Sequence, residues 1–164
     1  MRHNMSKKTL YTCQKGASAV EFAIVLPLLL VFVFGIIEFG ILLYNKAVIT
    51  NASREGARAA SIYYTDVNNN PIPMPATGDP SVQKVVTDYC TNHLITFGGS
   101  TTPTVTTTGP TDPPPNEYRS VTVEFGYNFL VLPNILAGFF GGPLLGPIPL
   151  KAVTQMRTEY QGGL

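Results

Sequence analysis

Cysteine, histidine and charge are all scarce in this 164-residue chain, and each scarcity removes a class of function. The cysteines are Cys13 and Cys90 and the histidines His3 and His93. A zinc site needs three or four protein ligands, so no metal is expected. No cofactor is expected either, because the glycines follow neither G-x-G-x-x-G nor Walker spacing. The most enzyme-like grouping is Asp88, Cys90 and His93. A Cys–His nucleophilic pair needs both side chains in one site, but here both fit the apolar stripe of one helix. No catalytic residue is assigned and the protein is not expected to be an enzyme. There is no basic patch of the kind that grips nucleic acid.

The charge that is present is unevenly placed. Arg2, Lys7, Lys8 and Lys15 give the first sixteen residues +4 with no acid, and the remainder carries seven basic and ten acidic side chains. Between Phe22 and Tyr44 only Glu38 among the carboxylates, lysines, arginines and histidines interrupts an apolar run. As a helix, that run covers about 34 Å, slightly more than the hydrocarbon core of a bilayer. A basic leader ahead of a span places the leader in the cytoplasm and the rest outside it. A secretory signal has a shorter apolar core, of about 7–15 residues, and no lipobox-like run precedes either cysteine. Cys13 and Cys90 fall on opposite sides of the expected membrane and cannot pair, so Cys90 is expected to be a single buried cysteine, ahead of forming an intermolecular disulfide.

Two carboxylates in or beside lipid each need a reason. Glu21 lies five residues after Gly16. A cut after Gly16 would leave an amino group on Ala17, one helical turn from Glu21, where the two charges neutralise each other within a chain or between neighbours. Glu38 either meets a partner within the membrane or reaches the polar headgroups. Pro27 removes one helical hydrogen bond, and Gly35 and Gly40, with Ala19 and Ala23, form notches where another helix could approach.

Gly-x-x-x-x-Glu-Phe after a basic leader resembles the processing signal of type IV prepilins. The longer sequence GASAVEFAIVLPLLL, then GIIEFG, then NASREGARAA, is similar to the TadE-like family, minor pilins or pseudopilins of tight-adherence (Tad/Flp) pilus systems. The resemblance covers roughly Lys15 to Ala60, with a weaker echo in AVTQMRTEY. It implies Gly16 and Ala17 as the processing site and Glu21 as the assembly carboxylate. The implied partners are a prepilin peptidase, other pilins or pseudopilins, the Tad secretion machinery and inner-membrane lipid. Alanine after the cut fits a minor component.

Beyond Tyr44 helical spacing persists. Tyr44, Val48, Ala52, Ala59 and Ile62 fall near one face, and Glu55 and Arg58 are spaced to pair. Proline and asparagine then break the pattern from Asp66 to Pro80. Asp79-Pro80 is expected to cap a second helix carrying Val82, Val85, Val86, Tyr89, Cys90, His93 and Phe97 on its apolar stripe, stopped by Gly98-Gly99. TPTVTTTG suggests an edge strand, and TDPPPN an exposed turn. Val121 to Val131 alternates with period two, and Leu150 to Tyr160 supplies a strand that returns antiparallel to it. The glycine- and proline-punctuated stretch from Leu132 to Pro149 is expected to be neither helix nor strand throughout. Within and just beyond it, GFFGGPLLGPIPL (138–150) is expected to cover the sheet, ahead of lying on a membrane or facing a neighbour.

The expected fold is therefore α+β and pilin-like. It comprises a leader (1–16), a transmembrane helix with its exported extension (17–62), a linker (63–80) and a small exported domain (81–164), in which a second helix packs on an antiparallel sheet. The expected protein is a single-pass inner-membrane minor pilin or pseudopilin with its N-terminus cytoplasmic. The competing reading is an uncleaved, signal-anchored binding or adhesion module.

Overall fold

A computed structural model describes residues 8–65, 67–69, 71–97, 99–109, 118–141 and 146–158. The TDPPPN turn, Gly98, residues 142–145, the end of the last expected strand at Glu159–Tyr160 and the first seven residues lie outside this set, as does the Cys13 side chain. One helix, α1 (Lys8–Ala60), accounts for the N-terminal part. It starts nine residues ahead of the expected helix start at Ala17. Nothing between Lys8 and Gly16 breaks a helix, and extending a nucleated helix costs little per residue. Pro27 sits inside it without ending it.

A hairpin follows, β1 (Tyr63–Thr65) with β2 (Pro71–Pro73), inside the stretch expected to be a loop or linker. Helix α2 (Val82–His93) is capped by Ser81 rather than Asp79. The Ser81 hydroxyl accepts from the Lys84 N–H at 3.1 Å, while the Pro75 and Ala76 carbonyls take the N–H groups of Val82 and Gln83. The helix ends at His93, ahead of the glycine pair, and Asn45 of α1 provides the physical reason. Its buried amide donates to the Ile95 carbonyl at 2.8 Å and accepts from the Ile95 N–H at 3.0 Å, which takes both backbone groups out of helical pairing.

Three strands form the main sheet: β3 (Thr104–Thr108), β4 (Tyr118–Tyr127) and β5 (Ile148–Arg157), antiparallel in the order β3-β4-β5. The register sets Val121 opposite Thr154, Val123 opposite Ala152 and Phe125 opposite Leu150. The expected alternation holds as far as Tyr127, with Val121, Val123, Phe125 and Tyr127 all buried. Phe129 and Val131 leave the strand. The apolar stretch after it opens with a helix, α3 (Leu132–Phe140), which packs against α1. Of the 138–150 stretch expected to cover the sheet, residues 142–145 lie outside the described set and Ile148–Leu150 belong to β5.

The domain has two layers, with α1 and α2 on one face of the sheet. The distal half of α1 is thus both the extension of the apolar helix and the centre of the domain core. Leu42, Val48, Ile49, Ala52, Ala57 and Ala60 are buried there with Val82, Val86 and Cys90 of α2. Tyr44 and Ile62, expected on this face, are exposed, and Asn45, Ser53 and Gly56 take its inner positions. Glu55 and Arg58 pair at 2.7 Å on the outside, as their spacing predicts, contributing a few tenths of a kcal/mol, as such exposed pairs do.

Gly56 marks the closest crossing. A Cβ there would lie 2.5 Å from Val86 Cγ2 and 3.2 Å from Val121 Cγ1. Gly56→Ala gains about 1 kcal/mol of helix propensity but overpacks this crossing by about 1–3 kcal/mol. A net loss of stability is expected. Gly40, with nothing within 4 Å of an added Cβ, is the control: Gly40→Ala should not lower the melting temperature in detergent, whereas Gly56→Ala should.

Candidate functional site

Two carboxylates punctuate the apolar part of α1, and their surroundings differ. Glu21 is exposed, as are all residues from Gly16 to Val25, and a Cβ added at Gly16 would meet nothing within 4 Å. Gly16 and Ala17 lie in continuous helical backbone. The folded domain does not extend down to this level.

Glu38 is 2% exposed. Its carboxylate accepts from three consecutive backbone N–H groups, those of Leu130 at 2.9 Å, Val131 at 2.5 Å and Leu132 at 3.2 Å. These amides lead into and open α3, whose own N-cap residue, Val131, supplies no capping side chain. Pro133 has no N–H to satisfy, and the Asn134 side-chain Nδ2 donates back to the Leu130 carbonyl at 3.0 Å. Glu38 thus caps α3 from another helix, and its charge faces the positive end of the α3 dipole. The Tyr127 hydroxyl donates to the Glu38 backbone carbonyl at 3.3 Å. Burial first, and then the Glu38 charge, push the Tyr127 phenol above its ordinary range. The same three amides pull the chain off β4, which explains why the strand ends at Tyr127. As an intramembrane contact residue, Glu38 is already engaged within its own chain.

At the far end of α1 another charge plays the complementary part. Arg119, 5% exposed, donates from Nη1 to the Ala60 carbonyl at 3.2 Å and to the Met74 carbonyl at 2.9 Å. A cation thus meets the negative end of the helix, and burial lowers the guanidinium pKa. Between the two ends, the Thr154 hydroxyl lies 2.7 Å from the Ser53 hydroxyl, which itself donates to the Thr50 carbonyl. Sequence reasoning singled out neither Arg119 nor Asn45. The available signal was a polar side chain within an otherwise apolar stripe, at Asn45 on α1 and at Arg119 in the alternation of β4.

The Asp88–Cys90–His93 grouping is dispersed. Cys90 is fully buried, His93 stacks on Tyr89 with its Nδ1 2.8 Å from the Tyr89 carbonyl oxygen, and Asp88 pairs with Lys84 at 3.3 Å. Cys90 is a free thiol, as expected, and burial pushes it up to about 11.

Together these features describe an α+β domain built around the upper half of one long helix, whose lower half is apolar and long enough to cross a membrane. The TadE-like protein family model matches residues 16–58, from the glycine before Ala17 almost to the end of α1. This stretch is similar to the TadE-like family, and the match includes Glu21, Glu38, Asn45 and Gly56. No curated protein and no solved structure matches the chain.

Two measurements follow from this geometry. Glu38→Ala strands three amides at a cost of about 3 kcal/mol, so hydrogen exchange at residues 130–132 should accelerate about 100-fold, and less in Glu38→Gln, which keeps one acceptor oxygen. For Cys90, the folded thiol titrates near 11 against 9.0 unfolded, so its contribution to stability is intact below about pH 9 and is lost as the pH rises towards 11. Iodoacetamide at pH 8 should therefore label Cys90 at least ~100-fold more slowly in the folded protein than in denaturant.

Proposed function

We propose that this protein is a minor pilin or pseudopilin that takes part in assembling a Tad/Flp-type pilus. It is held in the inner membrane by α1, with its domain outside the cytoplasm, and is cut by a prepilin peptidase between Gly16 and Ala17. The TadE-like match supports association with Tad pili. The contrast between the two carboxylates in the apolar part of α1 carries the finer reading. Glu38 is satisfied by the chain's own backbone, whereas Glu21 stands exposed at the lower end of the apolar helix, beyond the reach of the folded domain. A carboxylate kept in that position calls for a partner from outside the fold. The Ala17 amino group released by cleavage, or that of a neighbouring subunit, is such a partner.

Cleavage at this position needs the first turns of α1 to open, because a peptidase takes extended backbone and Gly16 lies within the helix. Helix ends open at little cost, and glycine lowers helix stability by about 1 kcal/mol relative to alanine. The partners in this reading are the peptidase, other pilins and the secretion machinery, and the protein's own part is non-covalent.

The intact mass of the protein from its native membrane tests the proposal. A chain beginning at Ala17, with a Gly16→Leu variant remaining full length, is the expected result. A wild-type chain still beginning at Met1 would overturn the processing and favour an uncleaved, signal-anchored binding or adhesion module.

A further inference from the structure

Among the described residues, the domain ends, on the side of the apolar helix, in a surface without exposed charge. From Phe129 to Leu150 the sequence has no Asp, Glu, Lys, Arg or His. Within that stretch α3 packs beside α1 at the level of Glu38, and Leu132 closes an apolar groove whose other walls are Val31, Phe32, Gly35, Ile36, Phe39, Gly40 and Leu43. The surface of α3 is therefore continuous with the outward-facing surface of α1, where Phe32, Ile36 and Phe39 are more than half exposed. Ile95, Phe97 and Leu130 add large exposed apolar side chains, and the Ile95–Phe97 segment and Leu130 share a second groove beneath the end of β4.

Charge returns at one level. Glu124 and Lys151 are cross-strand partners joined at 2.8 Å, and the Lys46 ammonium donates to the Lys151 carbonyl. Lys46 lies eight residues beyond Glu38 on α1, about 12 Å further along the axis. From Ala17 to Glu38 the helix covers about 33 Å, close to the thickness of a hydrocarbon core. With the core spanned by that segment, α3 lies at its boundary and the Lys46–Glu124–Lys151 group clears the headgroups, which add about 5–8 Å on each side. Tyr44, 45% exposed between the two levels, stands where interfacial tyrosines collect.

We propose that α3 and the uncharged end of the domain around it are embedded in the lipid leaflet on the domain's side of the membrane, with acyl chains and the glycerol region as their occupant. This rests on α1 crossing that membrane. The burial of Glu38 then serves both sides of one contact. Its carboxylate pins the start of α3 to α1 through backbone amides, and the helix it pins shields the carboxylate from lipid.

The chain contains no tryptophan, so single introduced indoles report depth directly. The full chain carrying Leu130→Trp, Leu136→Trp, Phe32→Trp or Tyr118→Trp would be reconstituted in phosphatidylcholine vesicles with and without brominated acyl chains. Leu130 is 47% exposed and tolerates the change even if the Leu136 site does not. Loss of most emission from the Leu130→Trp and Phe32→Trp indoles, with Tyr118→Trp at the opposite end of β4 unaffected, is the expected result. If Phe32→Trp is quenched by bromine but Leu130→Trp and Leu136→Trp are quenched only by aqueous acrylamide, α3 lies in water and the proposal fails. If the α3 indoles are sheltered from both quenchers, a second protein copy covers them, which equally overturns it. An unquenched Phe32→Trp removes the membrane crossing itself, and the proposal with it.

Discussion

A carboxylate set in a long apolar helix has few stable environments, and the constraint on Glu38 organises the lower half of this fold. Burial of an uncompensated charge costs several kcal/mol, so the group needs donors that come with it. Three successive amides at residues 130–132 supply them. Recruiting those amides ends β4 at Tyr127, turns the chain and starts α3, which lacks a cap of its own. One side chain on α1 thus determines where a strand stops, where a helix begins and which helix it lies against.

The upper half of α1 answers a different requirement. It is the central element of a domain core and must be approached closely from two sides. Gly56 provides the approach for Val86 and Val121, and Asn45 and Ser53 supply polar contacts to elements far away in the sequence. The Arg119 guanidinium closes the end of the helix at Ala60. The TadE-like match covers both halves of the helix and little else. Its residues combine an apolar segment long enough to cross a membrane with the inner wall of a domain whose remaining elements lie outside the match.

Much of this was legible from local pattern. The long helix, the period-two strand with its antiparallel return, the Thr-rich edge strand, the second helix and the Glu55–Arg58 pair all follow from spacing that depends on near neighbours. Several departures share a cause. The early end of α2, the end of β4 at Tyr127 and the helix at Leu132–Phe140 are set by groups distant in sequence, the Asn45 amide and the Glu38 carboxylate, whereas the N-cap at Ser81 is fixed nearer by, with the Pro75 and Ala76 carbonyls taking the next N–H groups. Residues 132–149 looked irregular because glycine and proline suppress local propensity. A charge brought in from α1 decides the outcome for Leu132–Phe140. Gly16, Ala17 and Glu21 were identified by motif spacing, and their position on exposed helix is compatible with that motif without depending on the domain fold.

The attachments along α1, from Glu38 through Asn45, Ser53 and Gly56 to Ala60, are spread over about 33 Å of helix. A domain fastened at that many levels cannot swivel or slide on its stalk. The stalk and the domain form a single lever. A few degrees of tilt in the apolar segment would swing the far end of the domain sideways by several times the displacement at Glu38. The orientation of that distal surface is thereby coupled to the packing of the helix below.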